Sequence, residues 1–158
     1  DWALDRIIPD CIKALEAGKG IDIRSPKAIR PWQHVLEPLS GYMLLATKMW
    51  EEPTKYCEGW NFGPRAESIT PVWDVATDVI KNYGSGKLND ISNSNVLHEA
   101  KLLMLDISKA KFQLGWEPRM NIHQCIELTV DWYKKYQNVD SIYMLCLNEI
   151  FKFTSYKK

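Results

Sequence analysis

Apolar residues recur mostly at helical spacing along this chain, which predicts several amphipathic helices. Ile8, Ile12 and Leu15 lie at i, i+4 and i+7, for example, and Gly18 follows as a helix stop. Three helices are predicted with both bounds: Asp5–Ala17, Leu36–Glu51 and one from about Asp140 to Phe153. A further helix begins at Thr70 as N-cap with Pro71 next, and another begins at the capping-box spacing Asn121-x-x-Gln124. A short helix is capped by Asp106 or Ser108 and ends at Leu114-Gly115.

Strand signals are few and short. Ile21–Arg24 alternates apolar and polar residues, and Glu58–Phe62 and Ala100–Leu105 are strand candidates. The residues from Ala28 to Val35 are predicted to be extended, and the polar stretch Leu88–Asn95 an exposed loop. The sequence therefore predicts a mixed α/β fold with about six helices, and its strands are too few for a complete doubly wound sheet.

Composition and charge exclude several classes of protein. The 158 residues are 46% hydrophobic, and 20 Lys+Arg balance 20 Asp+Glu, so we expect no nucleic-acid or membrane partner. The four cysteines are far apart, which argues against a zinc site or disulfide framework and favours reduced thiols in a cytoplasmic protein. The chain begins at Asp1 without an initiator methionine, so we expect a piece of a longer protein.

Arginines carry the most promising chemistry. Arg24 and Arg30 flank a turn on extended backbone, where a planar guanidinium can hold phosphate oxygens, and Arg30 lies among apolar and aromatic residues. Arg6 is a third candidate. For each the alternative is a solvated surface arginine.

The other candidate residues are weaker. Asn61 precedes Gly63-Pro64 at a predicted strand end, where α/β folds bind ligands, and His98-Glu99 form a polar pair beside a ligand or on a strand edge. His34 is more typical of a packed histidine than of a base. Tyr83 and Lys87 have the spacing of a dehydrogenase pair, but the intervening Gly84-Ser85-Gly86 breaks a helix. No catalytic or metal-binding set emerges.

Long stretches of the chain resemble the CDP-glucose 4,6-dehydratases, which are extended short-chain dehydrogenase/reductases. The resemblance runs from Asp1 to about Tyr136, and the stretch from Arg30 to Leu39 is specific to that family. The other matching motifs are Asp5-Arg6-Ile7-Ile8-Pro9-Asp10, Trp60-Asn61-Phe62-Gly63-Pro64, His98-Glu99-Ala100, Asp106-x-Ser108-Lys109-Ala110, Leu114-Gly115-Trp116-x-Pro118 and Thr129-Val130-x-Trp132-Tyr133.

The resemblance implies a function. The family converts CDP-glucose to CDP-4-keto-6-deoxyglucose, a step of deoxysugar biosynthesis, with a tightly held NAD. Its glycine-rich cofactor motif, tyrosine–lysine pair and acid/base residues lie in an N-terminal half that this sequence does not contain. Residues 1–158 would then form the nucleotide-sugar binding portion, inactive alone. Within it, a helix and strand over about 36–63 would complete the missing Rossmann domain or bury their apolar face in a homo-oligomer.

The resemblance also implies roles for the candidate residues. Arg30 would contact the diphosphate, Arg24 would lie by the nucleotide, and Arg6 would flank the pocket. His98 and Glu99 would lie near a second phosphate- and base-contacting segment, where many relatives have an arginine. Asn61 would end a strand beside the cofactor half. Three alternatives stay open: another nucleotide-sugar epimerase or dehydratase, a stand-alone nucleotide-sugar binding module, and a structural domain without a ligand.

Overall fold

The protein is described here by a computed structural model that covers residues 2–3, 5–93 and 102–156. These residues contain six α-helices and two short strands, in agreement with the predicted mixed α/β class. In chain order the elements are α1 (Ile7–Glu16), β1 (Ile21–Ile23), α2 (Leu36–Glu51), α3 (Pro53–Tyr56), α4 (Val72–Tyr83), β2 (Leu88–Asp90), α5 (Ile122–Lys135) and α6 (Ile142–Ser155), with a π-helical turn at Ala110–Leu114 and 3₁₀ turns at Ala66–Ser68 and Tyr136–Asn138.

The main core lies where α1 and α4 meet β1 and α5. Ile12 of α1, Ile23 of β1, Val79 of α4 and Val130 of α5 are almost fully buried in it. Ile12 belongs to the i, i+4, i+7 apolar pattern that predicted α1. Gly84 ends α4 in the left-handed conformation at φ 107°, which a glycine adopts without strain.

The sheet differs from the prediction. Leu88–Asp90, predicted as part of a loop, forms β2 and pairs in parallel with β1, with Ile21 opposite Leu88. The polar residues of this strand give no strand signal in the sequence. Asn89, for example, is exposed, and its amide donates to Asp22 Oδ1 at 2.9 Å. The pairing partner lies more than sixty residues earlier, so no local pattern reports it.

Two predicted strands are not formed in the described residues. Glu58–Phe62 is irregular, and side chains rather than a neighbouring strand bond its carbonyls: Gln33 Nε2 donates to Phe62 O at 2.8 Å, and Lys109 Nζ to Gly59 O at 3.1 Å. Of Ala100–Leu105, the structure describes residues 102–105, and Leu102 makes only an isolated bridge to Ile29.

The N-terminus of α4 also differs from the prediction. Pro71, not Thr70, occupies the N-cap position, and the Thr70 hydroxyl donates instead to the Ser68 carbonyl at 3.1 Å. In contrast, the predicted capping box of α5 is confirmed, with Gln124 N donating to Asn121 Oδ1 at 3.0 Å and Asn121 N donating back to Gln124 Oε1 at 2.9 Å.

One face of α2 is not covered by the residues that the structure describes. Leu39 and Tyr42 are exposed, Met43 is 74% exposed and Trp50 is 90% exposed. The opposite face packs through Leu44 and Leu45 on a smaller cluster. Over the described ranges, no helix is long and apolar enough to cross a membrane.

Candidate functional site

A cleft of about 240 Å³ lies where three irregular segments meet. The first follows β1, the second precedes α4, and the third leads into the π-helical turn. The cleft is lined by Ile29, Arg30, Pro31, Pro64, Arg65, Ala66, Ile69, Met104, Leu105, Asp106, Ile107 and Ser108. Its wall is therefore mostly apolar, with a few charged groups, which is the usual composition of a small-molecule site.

Arg30 lies in this cleft, as the apolar setting of its sequence suggested. The residue is half-buried, and its Nη1 donates to the Ile29 carbonyl at 2.8 Å. Bridges from Ile29 to Pro71 and to Leu102 fix the backbone that carries it. A half-buried guanidinium on such a fixed backbone can bind an anion in one defined geometry.

Arg65 is a second guanidinium in the cleft, and the sequence analysis missed it. Its Nε and Nη2 donate to the Pro118 carbonyl at 3.2 and 2.9 Å, and the Glu117 carboxylate lies 3.9 Å away. The signal was present, because Arg65 follows Gly63-Pro64 directly and the same reasoning that singled out Arg30 applies to it. Two cationic groups therefore line one small cleft.

The third segment adds an acidic group. Asp106 Oδ1 accepts a hydrogen bond from Ser108 N at 2.8 Å. The predicted cap by Asp106 or Ser108 is not formed, because Lys109 occupies the N-cap position of the π-helical turn and makes no side-chain cap hydrogen bond. Hydrogen bonds from Ser108 hold the pKa of Asp106 below its ordinary value. The carboxylate is thus ionised at neutral pH, and part of the positive charge of the two arginines is balanced at the cleft.

Asn61 lies beside the cleft rather than in its lining. Its amide donates to the Asp106 carbonyl at 3.2 Å and so ties the second segment to the third. Gly63, two residues on, packs so closely that an added Cβ would lie 2.9 Å from Leu105 Cβ. Asn61 therefore shapes the cleft wall through the backbone.

The structure does not bring the other candidates to the cleft lining. Arg24 is largely exposed and pairs with Asp5 at 2.6 Å, and Arg6 is the exposed N-cap residue of α1. His98 and Glu99 lie outside the described residues. Within the described ranges, no group of three or more His, Cys, Asp or Glu side chains could hold a metal ion.

His34 is a packed histidine, as the sequence favoured. It is almost fully buried, its Nδ1 accepts the Leu36 N–H at 3.3 Å, and burial lowers its pKa to about 4. The ring is therefore neutral at physiological pH and accepts a backbone hydrogen bond at the start of α2. Cys11 and Cys125 are likewise buried, and Cys57 and Cys146 exposed, all four as free thiols.

Comparison with known proteins confirms the predicted resemblance. The chain is 40% identical over 155 residues to the CDP-glucose 4,6-dehydratase of Salmonella typhimurium, which is 98% of this chain and 43% of that protein. The chain thus spans less than half the length of the curated relative it matches. No family model matches it.

Solved structures share the fold. A dTDP-glucose 4,6-dehydratase from Bacillus anthracis, in complex with NAD, is 21% identical with a TM-score of 0.67 over 83% of this chain and 39% of its own. A UDP-glucuronic acid 4-epimerase from Bacillus cereus, in complex with UDP-glucuronic acid and NAD, is 22% identical with a TM-score of 0.67 over 84% of this chain and 40% of its own. The predicted fold, part of an extended short-chain dehydrogenase/reductase, is confirmed.

Proposed function

We propose that this chain forms the nucleotide-sugar binding part of a CDP-glucose 4,6-dehydratase and that Arg30 and Arg65 hold the diphosphate of CDP-glucose. The observation that carries the proposal is the joint presence of Arg30 and Arg65 in the lining of one cleft. The 40% identity to the Salmonella dehydratase supports the choice of substrate. We assign Asn61 a supporting role in this site, and keep Arg24, Arg6, His98 and Glu99 as proposed ligands of the remaining parts of the substrate.

The chemistry of the cleft suits a diphosphate. Each phosphate carries a negative charge and several acceptor oxygens, and a guanidinium presents two parallel N–H donors to them. Arg30 stands on a backbone fixed by two bridges, and Arg65 is oriented by the Pro118 carbonyl. Because both side chains are already ordered, binding costs little side-chain entropy. Asp106 beside them disfavours anions that cannot engage both arginines.

We propose NAD as the cofactor of the complete enzyme, on the grounds that the related Bacillus structures contain it. The family resemblance assigns the cofactor motif and the catalytic tyrosine to a part of the relative that this chain does not span. In the complete protein, residues 36–63 would pack on that part through the exposed face of α2. We place the reaction in deoxysugar biosynthesis in the cytoplasm, where the four free thiols would stay reduced.

Calorimetric titration of the purified chain with CDP and with cytidine tests the binding proposal. We expect CDP to bind and cytidine to bind far more weakly, because the diphosphate supplies the main contacts. Arg30→Lys keeps the charge but loses the fork, and should weaken CDP binding by about 1–3 kcal/mol. Lys81→Arg, a charge-conserving change at an exposed position of α4 outside the cleft lining, is the control. Equal CDP affinity of wild type and Arg30→Lys would refute the assignment of Arg30.

An activity assay tests whether this part of the enzyme is inactive alone. The purified chain, given NAD and CDP-glucose, should form no 4-keto-6-deoxy product, because hydride transfer needs a bound nicotinamide and a positioned base. Adding the remainder of a CDP-glucose 4,6-dehydratase as a separate chain is the positive arm. Product formed by this chain alone would contradict the proposal.

A further inference from the structure

Glu37 is a fully buried carboxylate in the first turn of α2. Its Oε1 accepts two backbone hydrogen bonds, from Arg119 N and from Met120 N, each at 2.8 Å. Burial alone raises the pKa of Glu37, while these two N–H groups act in the opposite direction. A buried carboxyl is costly unless it is hydrogen-bonded, and the two contacts satisfy Oε1, whereas the buried Oε2 has no hydrogen-bond partner among the described residues.

The segment that Glu37 holds is also held by its neighbours in α2. The Trp116 indole N–H donates to Ser40 Oγ at 2.9 Å, and the Ser40 hydroxyl donates to the Glu37 carbonyl at 2.7 Å. The first turns of α2 therefore hold residues 116–120 through these hydrogen bonds. This segment makes no helix or strand in the described structure, so these side-chain contacts define its path.

Arg65, which lines the cleft, is hydrogen-bonded to the same segment. It donates twice to the Pro118 carbonyl, and that carbonyl belongs to the same peptide group as the Arg119 N–H bonded by Glu37. A peptide group is planar and rigid, so an acceptor on its N–H and a donor on its C=O are held in one fixed relation. Each hydrogen bond also polarises the group and strengthens the other.

We propose that Glu37 is a positioning residue for the anion site: through the peptide between Pro118 and Arg119 it sets where the Arg65 guanidinium stands in the cleft. The inference rests on the proposed diphosphate binding for its functional meaning. Glu37 itself does not line the cleft, so it acts on the ligand only through Arg65.

The first test observes Arg65 without any ligand. Solvent exchange of the Arg65 Nε–H, followed by ¹⁵N NMR, reports its bond to the Pro118 carbonyl. Glu37→Ala and Glu37→Asp both withdraw the oxygen from the peptide and should speed exchange by about fivefold, the effect of one lost hydrogen bond. Glu37→Gln keeps an oxygen acceptor at the peptide, so its Arg65 Nε–H should exchange as slowly as in wild type.

Val79→Ala is the matched control for this measurement, because it destabilises the main core without touching the segment. Its Arg65 exchange should stay within about twofold of wild type. If Glu37→Ala fails to fold, Glu37→Asp and Glu37→Gln still give opposite expectations. Unchanged Arg65 exchange in Glu37→Asp, or exchange equally fast in the Val79→Ala control, would overturn the inference.

The second test is a double-mutant cycle on CDP binding. Glu37→Ala should weaken CDP binding by about fivefold in the wild-type background and by less than about twofold when Arg65→Ala is already present. An equal loss in both backgrounds would mean that Glu37 acts on the fold alone and would overturn the inference. Absence of CDP binding by the wild-type chain would refute the proposed function instead, and the exchange of Arg65 would then decide about Glu37.

Discussion

The burial of His34 ties the stability of the fold to pH. The neutral ring accepts the Leu36 N–H through Nδ1 at the start of α2. Protonation would both charge a buried ring and remove that acceptor. His34→Asn is a suitable perturbation, because an asparagine oxygen can accept an N–H two residues on and does not titrate.

The size of the effect follows from the two pKa values. Burial lowers the pKa of His34 from 6.5 to about 4, so between these values the unfolded chain binds a proton that the folded chain does not. Its contribution is therefore fully present above pH 6.5 and is lost as the pH falls toward 4. Over this pH range the unfolding free energy falls by about 1.4 kcal/mol for each pH unit, so the total loss is about 3 kcal/mol.

Urea unfolding at several pH values between about 7.5 and 4 measures this contribution. Wild type should lose about 3 kcal/mol more of its unfolding free energy over that range than His34→Asn does. Val79→Ala, which perturbs the main core without removing a titratable group, should keep the pH slope of wild type. Parallel pH curves for wild type and His34→Asn would show that His34 protonates equally in both states and would refute the reasoning.

Three further outcomes are expected. Gly41→Ala should destabilise the chain by about 1–3 kcal/mol in urea unfolding, because its Cβ would lie 2.3 Å from Phe62 Cδ1; stability equal to wild type would contradict this. Asn121→Ala should cost about 1 kcal/mol by removing the cap of α5, and an unchanged midpoint would show that the cap is dispensable. Met43→Lys with Trp50→Lys should leave stability within about 0.5 kcal/mol but reduce binding of a hydrophobic dye and self-association, whereas a dye-silent wild-type monomer would contradict an interaction face on α2.

Helices were predictable because their signals are local. The bounds of α2, Leu36–Glu51, agree with those predicted, and the Asn121 capping box was readable from four residues. Strand β2 was not predictable, because its pairing with β1 is set by residues far away and its own residues are polar. The strand predicted at Glu58–Phe62 had the right composition but lacks a neighbouring strand in the described residues.

Some residues of the candidate site could be predicted from the sequence, and others become visible only in the folded structure. Arg30 was found because its apolar neighbours in the sequence are also its neighbours in space. Arg65 was missed although its position directly after Gly63-Pro64 was a local signal, and only its orientation by the Pro118 carbonyl, 53 residues along the chain, required the folded structure. The role of Glu37 is set by residues 82 and 83 positions away, so it becomes visible only in the folded structure.

A crystal structure of the chain with CDP-glucose would show whether Arg30 and Arg65 hold the diphosphate. We expect the diphosphate to lie in the cleft, with phosphate oxygens within hydrogen-bond distance of the Arg30 and Arg65 guanidiniums and Arg65 still bonded to the Pro118 carbonyl. Cleft side chains should move little, because the site is already ordered. A nucleotide bound elsewhere on the chain, with the cleft between Arg30 and Arg65 empty, would contradict it.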